Sequence, residues 1–228
     1  MELFIRVKSI LFNPKEEWEI IEAENAPHAK VLPYLLILTL IPALAIIAKY
    51  WLQWHSKMAQ MKASIIGNNN YHSEQIADAL ARIKESTPFF ATIGITGIIA
   101  SVNQIAIILG GVYLAAAVIN TLSDQFGVNK DFNLVFSLIA YSYIPLCISG
   151  ILYFFPPIAW LVPLLGLYGL YLLFLGAKPL MKPSSEKQAG YAIMVLLVVF
   201  VAYIIVSKIV PMITTEIYSS IIASKSKL

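Results

Sequence analysis

Four stretches of this chain contain no charged residue, and their lengths constrain the fold more than any motif does. Val31 to Ala48 runs uncharged for 18 residues, Ser86 to Ser123 for 38, Phe132 to Ala177 for 46 and Gln188 to Ser207 for 20. Together they take up 122 of the 228 residues. A helix needs about 20 apolar residues to cross roughly 30 Å of hydrocarbon. The composition agrees: 59% of the residues are hydrophobic and 13% charged, where a soluble domain has about 45–50% and about 25%. So few charges could not cover a soluble globule of this size. Disorder, collagen-like repeats and a disulfide scaffold are excluded on the same grounds. The expectation is an all-α, polytopic membrane bundle.

The windows divide into spans at their prolines and glycines. Phe154-Phe155-Pro156-Pro157 interrupts the 46-residue window near its centre. Two adjacent prolines remove two donors and disfavour helical geometry in the residue before them. The halves form an antiparallel hairpin. The 38-residue window would be about 57 Å long as one helix at 1.5 Å per residue. Gly110-Gly111 offers a break, but an apolar run resumes directly after it. One long helix is the preferred reading, which gives five spans, at about 31–49, 89–122, 132–154, 157–177 and 189–210; six is the alternative. Lys and Arg divide eight to eight between the two sides in the five-span arrangement. The positive-inside rule therefore assigns no orientation.

The remaining segments are short. Residues 1–30 carry six acids, unlike the basic start of a cleavable signal, so the first span is expected to be retained. Leu3, Phe4, Val7, Ile10 and Leu11 recur at helical spacing with Arg6 and Lys8 on other faces. This predicts an amphipathic helix lying in the membrane interface. Asn13-Pro14-Lys15-Glu16 reads as a second helix start, with Asn13 as cap and Glu16 closing a capping box. Trp18 and Ile21 form its apolar stripe. Between Lys49 and Glu85 the chain is polar, with a turn at 67–70. A short helix follows, capped by Ser73 and carrying an Asp78–Arg82 pair. Residues 1–30 thus form an interfacial segment, 31–210 the membrane domain and 211–228 a short tail.

Chemistry-bearing groups are sparse. His28, His55 and His72 lie outside the spans without metal-ligand spacing, so no metal, cofactor or catalytic residue is assigned. Cys147 is alone and reads as a small apolar side chain. The net charge of +3 is too weak for nucleic-acid binding. Within the spans the polar groups are mild. Asn103 and Gln104 would be costly facing lipid and are expected to face another helix, beside a small face of Gly94, Gly97 and Ser101. Pro145 frees a carbonyl near Tyr141. Tyr168 and Tyr171 lie one turn apart. These six residues, Asn103, Gln104, Tyr141, Pro145, Tyr168 and Tyr171, are candidates for intramembrane packing or polar contacts. Tyr50, Trp51, Trp54, Tyr153, Phe154 and Phe155 fit an aromatic belt.

Three segments carry a family resemblance: Asn13-Pro14-Lys15-Glu16-Glu17-Trp18, Ala140-Tyr141-Ser142-Tyr143-Ile144-Pro145, and Leu167-Tyr168-Gly169-Leu170-Tyr171 through Gly176. Lys182-Pro183, Glu186-Lys187 and Tyr191 follow the last of these. In order and spacing the chain resembles the prokaryotic branch of the Yip family of Ypt/Rab-interacting-protein-like membrane proteins. The resemblance implies a five-helix membrane domain with a cytoplasmic N-terminus, in the inner membrane of a prokaryotic cell. Eukaryotic members take part in early secretory traffic and contact small GTPases and each other. The short N-terminal segment here argues against GTPase binding, and the family supplies no catalytic residues. The expected function is a non-enzymatic scaffold, adaptor or membrane-organising factor. Its partners would be the bilayer, other membrane proteins or a second copy. The alternative is an oligomeric small-solute transporter or channel, with Asn103, Gln104, the Gly110-Gly111 pair and kinks at Pro42 and Pro145 along the pathway.

Overall fold

The computed structural model describes residues 2–67, 72–86 and 95–225. Among these there is no strand. The helices are α1 (Glu2–Phe12), α2 (Pro14–Glu24), α3 (His28–Ile66), α4 (Ser73–Ser86), α5 (Ile95–Leu122), α6 (Phe132–Ser142), α7 (Ile144–Ser149), α8 (Leu161–Met181) and α9 (Gln188–Lys225). Five helical segments are long and apolar enough to cross a membrane: α3, α5, α6 with α7, α8 and α9. Gly110 and Gly111 lie inside an unbroken α5, so the second charge-free window contributes one span. The chain is a five-span helical membrane bundle.

Side-chain bonds show which helix ends share a face. The His28 amide donates to Asn133 Oδ1 at 2.9 Å, which joins the start of α3 to the start of α6. Asp131 caps α6 by accepting from the amides of Asn133 and Leu134. Lys187 Nζ donates to the Gln125 carbonyl at 2.8 Å, which ties the start of α9 to the end of α5. These ends, with α1 and α2, make up one polar face, called the N-terminal face below. The span formed by α6 and α7 is innermost, with 78% of its most apolar stretch buried against 22–39% for the other four. Val135, Phe136, Leu138, Ile139 and Ile144 are essentially solvent-free there. The other spans surround it, and α5 packs on both α3 and α9.

The inner span bends at Tyr143, where α6 gives way to α7. Pro145 lacks an amide hydrogen, and the chain responds by tightening the turn. Backbone N–H groups at the Tyr143 cap reach the carbonyls of Ile139, Ala140 and Tyr141. The Tyr141 carbonyl, in the region where Pro145 was expected to free one, thus has a backbone donor. The double proline folds into a short 3-10 turn at Pro156–Ile158, and α8 returns antiparallel.

Several local expectations are corrected. The helix of the first span continues past its charged boundary: α3 runs through Trp51 and Trp54 to Ile66. Residues 49–66 hold no proline or glycine and mix apolar residues with Lys, Gln and Met, which sustain a helix in water as well as in lipid. Likewise α9 runs to Lys225 where a short tail was expected. Asn13 occupies the cap position of α2 but makes no side-chain cap bond. Its backbone, at φ −129° and ψ 55°, is off the extended geometry that aims a cap side chain at the first-turn amides. The expected small face is internal: Ser101 Oγ donates to the Ala43 carbonyl of α3 at 2.8 Å. Gly94, residues 68–70 of the expected turn and the Arg82 side chain expected to pair with Asp78 lie outside the described residues.

Candidate functional site

The N-terminal residues build the most chemically varied site. A single residue, Asn13, separates α1 from α2, and the two helices fold back on one another as a hairpin. The hairpin runs alongside α8 and is fixed at three levels. Glu22 bonds Lys182 Nζ at 2.8 Å at the N-terminal face. Below that, Trp18 sits fully buried in a notch opened by Gly176. A β-carbon at Gly176 would come within 2.6 Å of the Trp18 ring and 2.7 Å of Leu138. Near the tip, Tyr168 Oη donates to the Leu11 carbonyl at 2.7 Å. From Lys182 to Tyr168 is 14 residues, about 21 Å along the axis at 1.5 Å per residue.

The reason lies in the distribution of apolar groups. Ile10, Trp18 and Ile21 are buried on the inner side of the hairpin. Leu3, Val7 and Leu11 pack beside them. Phe4 and Phe12 face outward, 75% and 76% exposed. Helix α1 therefore carries apolar side chains on both sides, one side packed on the bundle and the other exposed. Arg6, placed by periodicity on an outer face, instead points into the bundle.

Arg6 is the centre of the site. Its guanidinium bonds Glu17 Oε1 and both oxygens of Glu24, at 2.6 and 2.7 Å. Its Cζ also lies 5.8 Å from the centre of the Tyr141 ring, within cation–π range. Glu17 is buried, with its side chain 8% exposed. A buried carboxylate of this kind is tolerable only when paired. Burial works against the Arg6 charge, yet the hydrogen bond with Glu24 and the nearby carboxylates more than offset it. The guanidinium is held above its ordinary range.

Around this network lies a cleft of about 640 Å³, lined by Arg6, Glu17, Glu24, Lys30, Tyr34 and Tyr141 among others, with Ile5 and Ile20 contributing apolar wall. A second cleft of about 310 Å³ lies at the bend of the inner span, between Tyr143, Leu146, Gly166 and Phe200. Its lining is mostly apolar. The charged cleft therefore has the greater chemical range.

The sequence candidates scatter across this geometry. Tyr141 lines the charged cleft. Pro145 lies at the bend of the inner span. Tyr168 holds the hairpin tip, and the Tyr171 ring lies 5.6 Å from it, half exposed. Asn103 and Gln104 lie on α5 and line neither cleft. The Asn103 Oδ1 is buried and has no hydrogen-bond partner. Arg6, Glu17 and Glu24 were not singled out from sequence. The seven-residue spacing of Glu17 and Glu24 puts both carboxylates on one face of α2, and that is the signal which could have found them.

A family model bears on the whole arrangement: the Yip1 domain matches residues 8–207. The match takes in most of the hairpin, the first four spans and the fifth as far as Ser207. The chain belongs to the Yip1 family. No curated protein and no solved structure matches it. In this Yip1 domain the three resembling segments meet in space. Trp18 of the first packs against Gly176 of the third, and Gly169 of the third crosses the second so closely that a β-carbon there would lie 2.5 Å from the Ser142 carbonyl. The first and third thus form the hairpin's dock, and the second and third form the crossing beneath it.

Proposed function

We propose that this Yip1-family protein is a non-enzymatic integral membrane protein that acts as a scaffold or membrane-organising factor. On this reading it sits in a prokaryotic inner membrane with the hairpin on the cytoplasmic side, and 31–210 is its membrane domain. The observation that carries the proposal is the outer surface of the clamped hairpin. It presents Phe4 and Phe12 together with Lys8, Lys15, Glu16 and Glu19, all exposed. A rigid surface mixing large apolar and charged groups suits contact with another membrane protein at the headgroup level. The buried charges, by contrast, hold the hairpin in place.

The test is photocrosslinking in native membranes from a reactive residue at Phe12 or at Glu19. A discrete adduct with one protein, or with a second copy, is the expected result. Adducts with lipid alone at both positions would count decisively against a scaffold. A second reading, an oligomeric small-solute transporter or channel, draws on the unpartnered buried oxygen of Asn103. Solute flux in reconstituted vesicles that is lost in Asn103→Leu would favour it.

A further inference from the structure

The charged cleft has three properties that together select a ligand. Its inner wall is acidic: Glu17 and Glu24 converge on one cation, Arg6, so the trio carries a net negative charge. Lys30 also lines the cleft and is exposed, a separate positive group without a described carboxylate partner. Its rim is apolar, with Ile5 56% and Ile20 48% exposed. The volume, about 640 Å³, lies in the usual range for small-ligand sites, roughly 300–1,000 Å³.

Each property rules out a class. An acidic inner wall repels a simple anion. Lys30 disfavours a simple cation. The apolar rim disfavours a fully hydrated solute, because desolvating its polar groups would go uncompensated there. We infer that the cleft binds the headgroup of a zwitterionic aminophospholipid from the surrounding leaflet. The primary ammonium lies against Glu17 and Glu24, the phosphate turns towards Lys30, and the acyl chains leave over Ile5 and Ile20. A primary ammonium donates charge-assisted hydrogen bonds to carboxylates. A choline headgroup has no N–H to donate, and a glycerol headgroup has no cation. The same ammonium–phosphodiester chemistry occurs in water-soluble glycerophosphoethanolamine, and the apolar rim is what favours the lipid. This inference does not depend on the scaffold role.

Native mass spectrometry tests it on the full chain, released from micelles containing equal amounts of phosphatidylethanolamine, phosphatidylcholine and phosphatidylglycerol. One retained phosphatidylethanolamine is expected, favoured roughly tenfold, the scale of a charge-assisted hydrogen bond. Lys30→Gln changes an exposed residue and leaves the hairpin bonds intact; it should remove most of that preference. Glu24→Gln should do the same. Ile20→Trp, which fills the cleft from an exposed position without touching a charge, should displace the lipid. Glu22→Gln lies outside the cleft and should keep the preference. Equal retention of the three lipids, a preference for phosphatidylglycerol, or unchanged selectivity in Lys30→Gln and Ile20→Trp would overturn the inference. Displacement of the lipid by an equal concentration of glycerophosphoethanolamine would overturn the lipid source.

Discussion

Trp18 and Gly176 are a matched pair, and each explains the other. The largest fully buried side chain occupies space that only a residue without a β-carbon leaves open. Trp18→Ala should weaken hairpin docking by about 3–5 kcal/mol, the range for emptying a large aromatic site. Gly176→Ala should weaken it by overpacking, by about 1–3 kcal/mol. Limited proteolysis in membranes reads both, since a released hairpin is cut while the spans stay protected. Equal protection in wild type and both variants would mean that other contacts hold the hairpin. Arg6 is the second residue of this kind. Arg6→Met strands buried Glu17 and should cost about 3 kcal/mol, whereas Glu22→Gln removes an exposed pair worth at most about 1 kcal/mol. Replacing Arg6, Glu17 and Glu24 together by apolar residues should recover much of the Arg6→Met loss. At this scale the sequence was only partly legible. Periodicity identified Trp18 and Ile21 as an apolar stripe, but it placed Arg6 only on a face other than the apolar one. A helical wheel gives directions around one axis and carries no information about what the neighbouring helix offers.

Helix lengths and the bend of the inner span belong to the scale of elements. Pro145 sets the bend by withholding a donor, and Gly169 lets α8 cross within van der Waals reach of the Ser142 backbone. Gly169→Ala should force α8 away from α6 and lower the thermal midpoint of the detergent-solubilised protein by several degrees, the shift expected from about 1–3 kcal/mol of overpacking. The neighbouring Leu167→Ala alters a side chain that is 57% exposed and serves as the control. Similar midpoints for the two variants would remove Gly169 from this role. The spans themselves were readable because hydrocarbon admits so few charges. Their ends were not, because helix propensity does not stop where the membrane does. α3 and α9 continue well past their charge-free windows for that reason.

For the whole molecule, an odd number of spans puts the two ends of the chain on opposite sides of the membrane. With Cys147 replaced by Ala, Glu2→Cys and Lys227→Cys should differ in intact cells, only one reacting with a membrane-impermeant thiol reagent. Matching labelling would require an even count and contradict the five-span bundle. The side that labels also decides the orientation, on which the eight-to-eight charge division is silent. What the sequence determined by itself is the class, a helical membrane bundle with a double-proline hairpin, while the choice of five spans over six waited on the unbroken α5. The class and the double-proline hairpin follow from charge exclusion and backbone chemistry, which act locally and can be read along a single chain. Only the tertiary structure decided that the N-terminal helices dock along α8, that Glu17, Glu24 and Arg6 converge, and that Tyr141 joins them while Asn103 and Gln104 stay apart. Such convergence depends on which faces the helices turn towards each other. That choice is fixed by contacts between residues distant in sequence, as Trp18 with Gly176 and Tyr168 with Leu11 show.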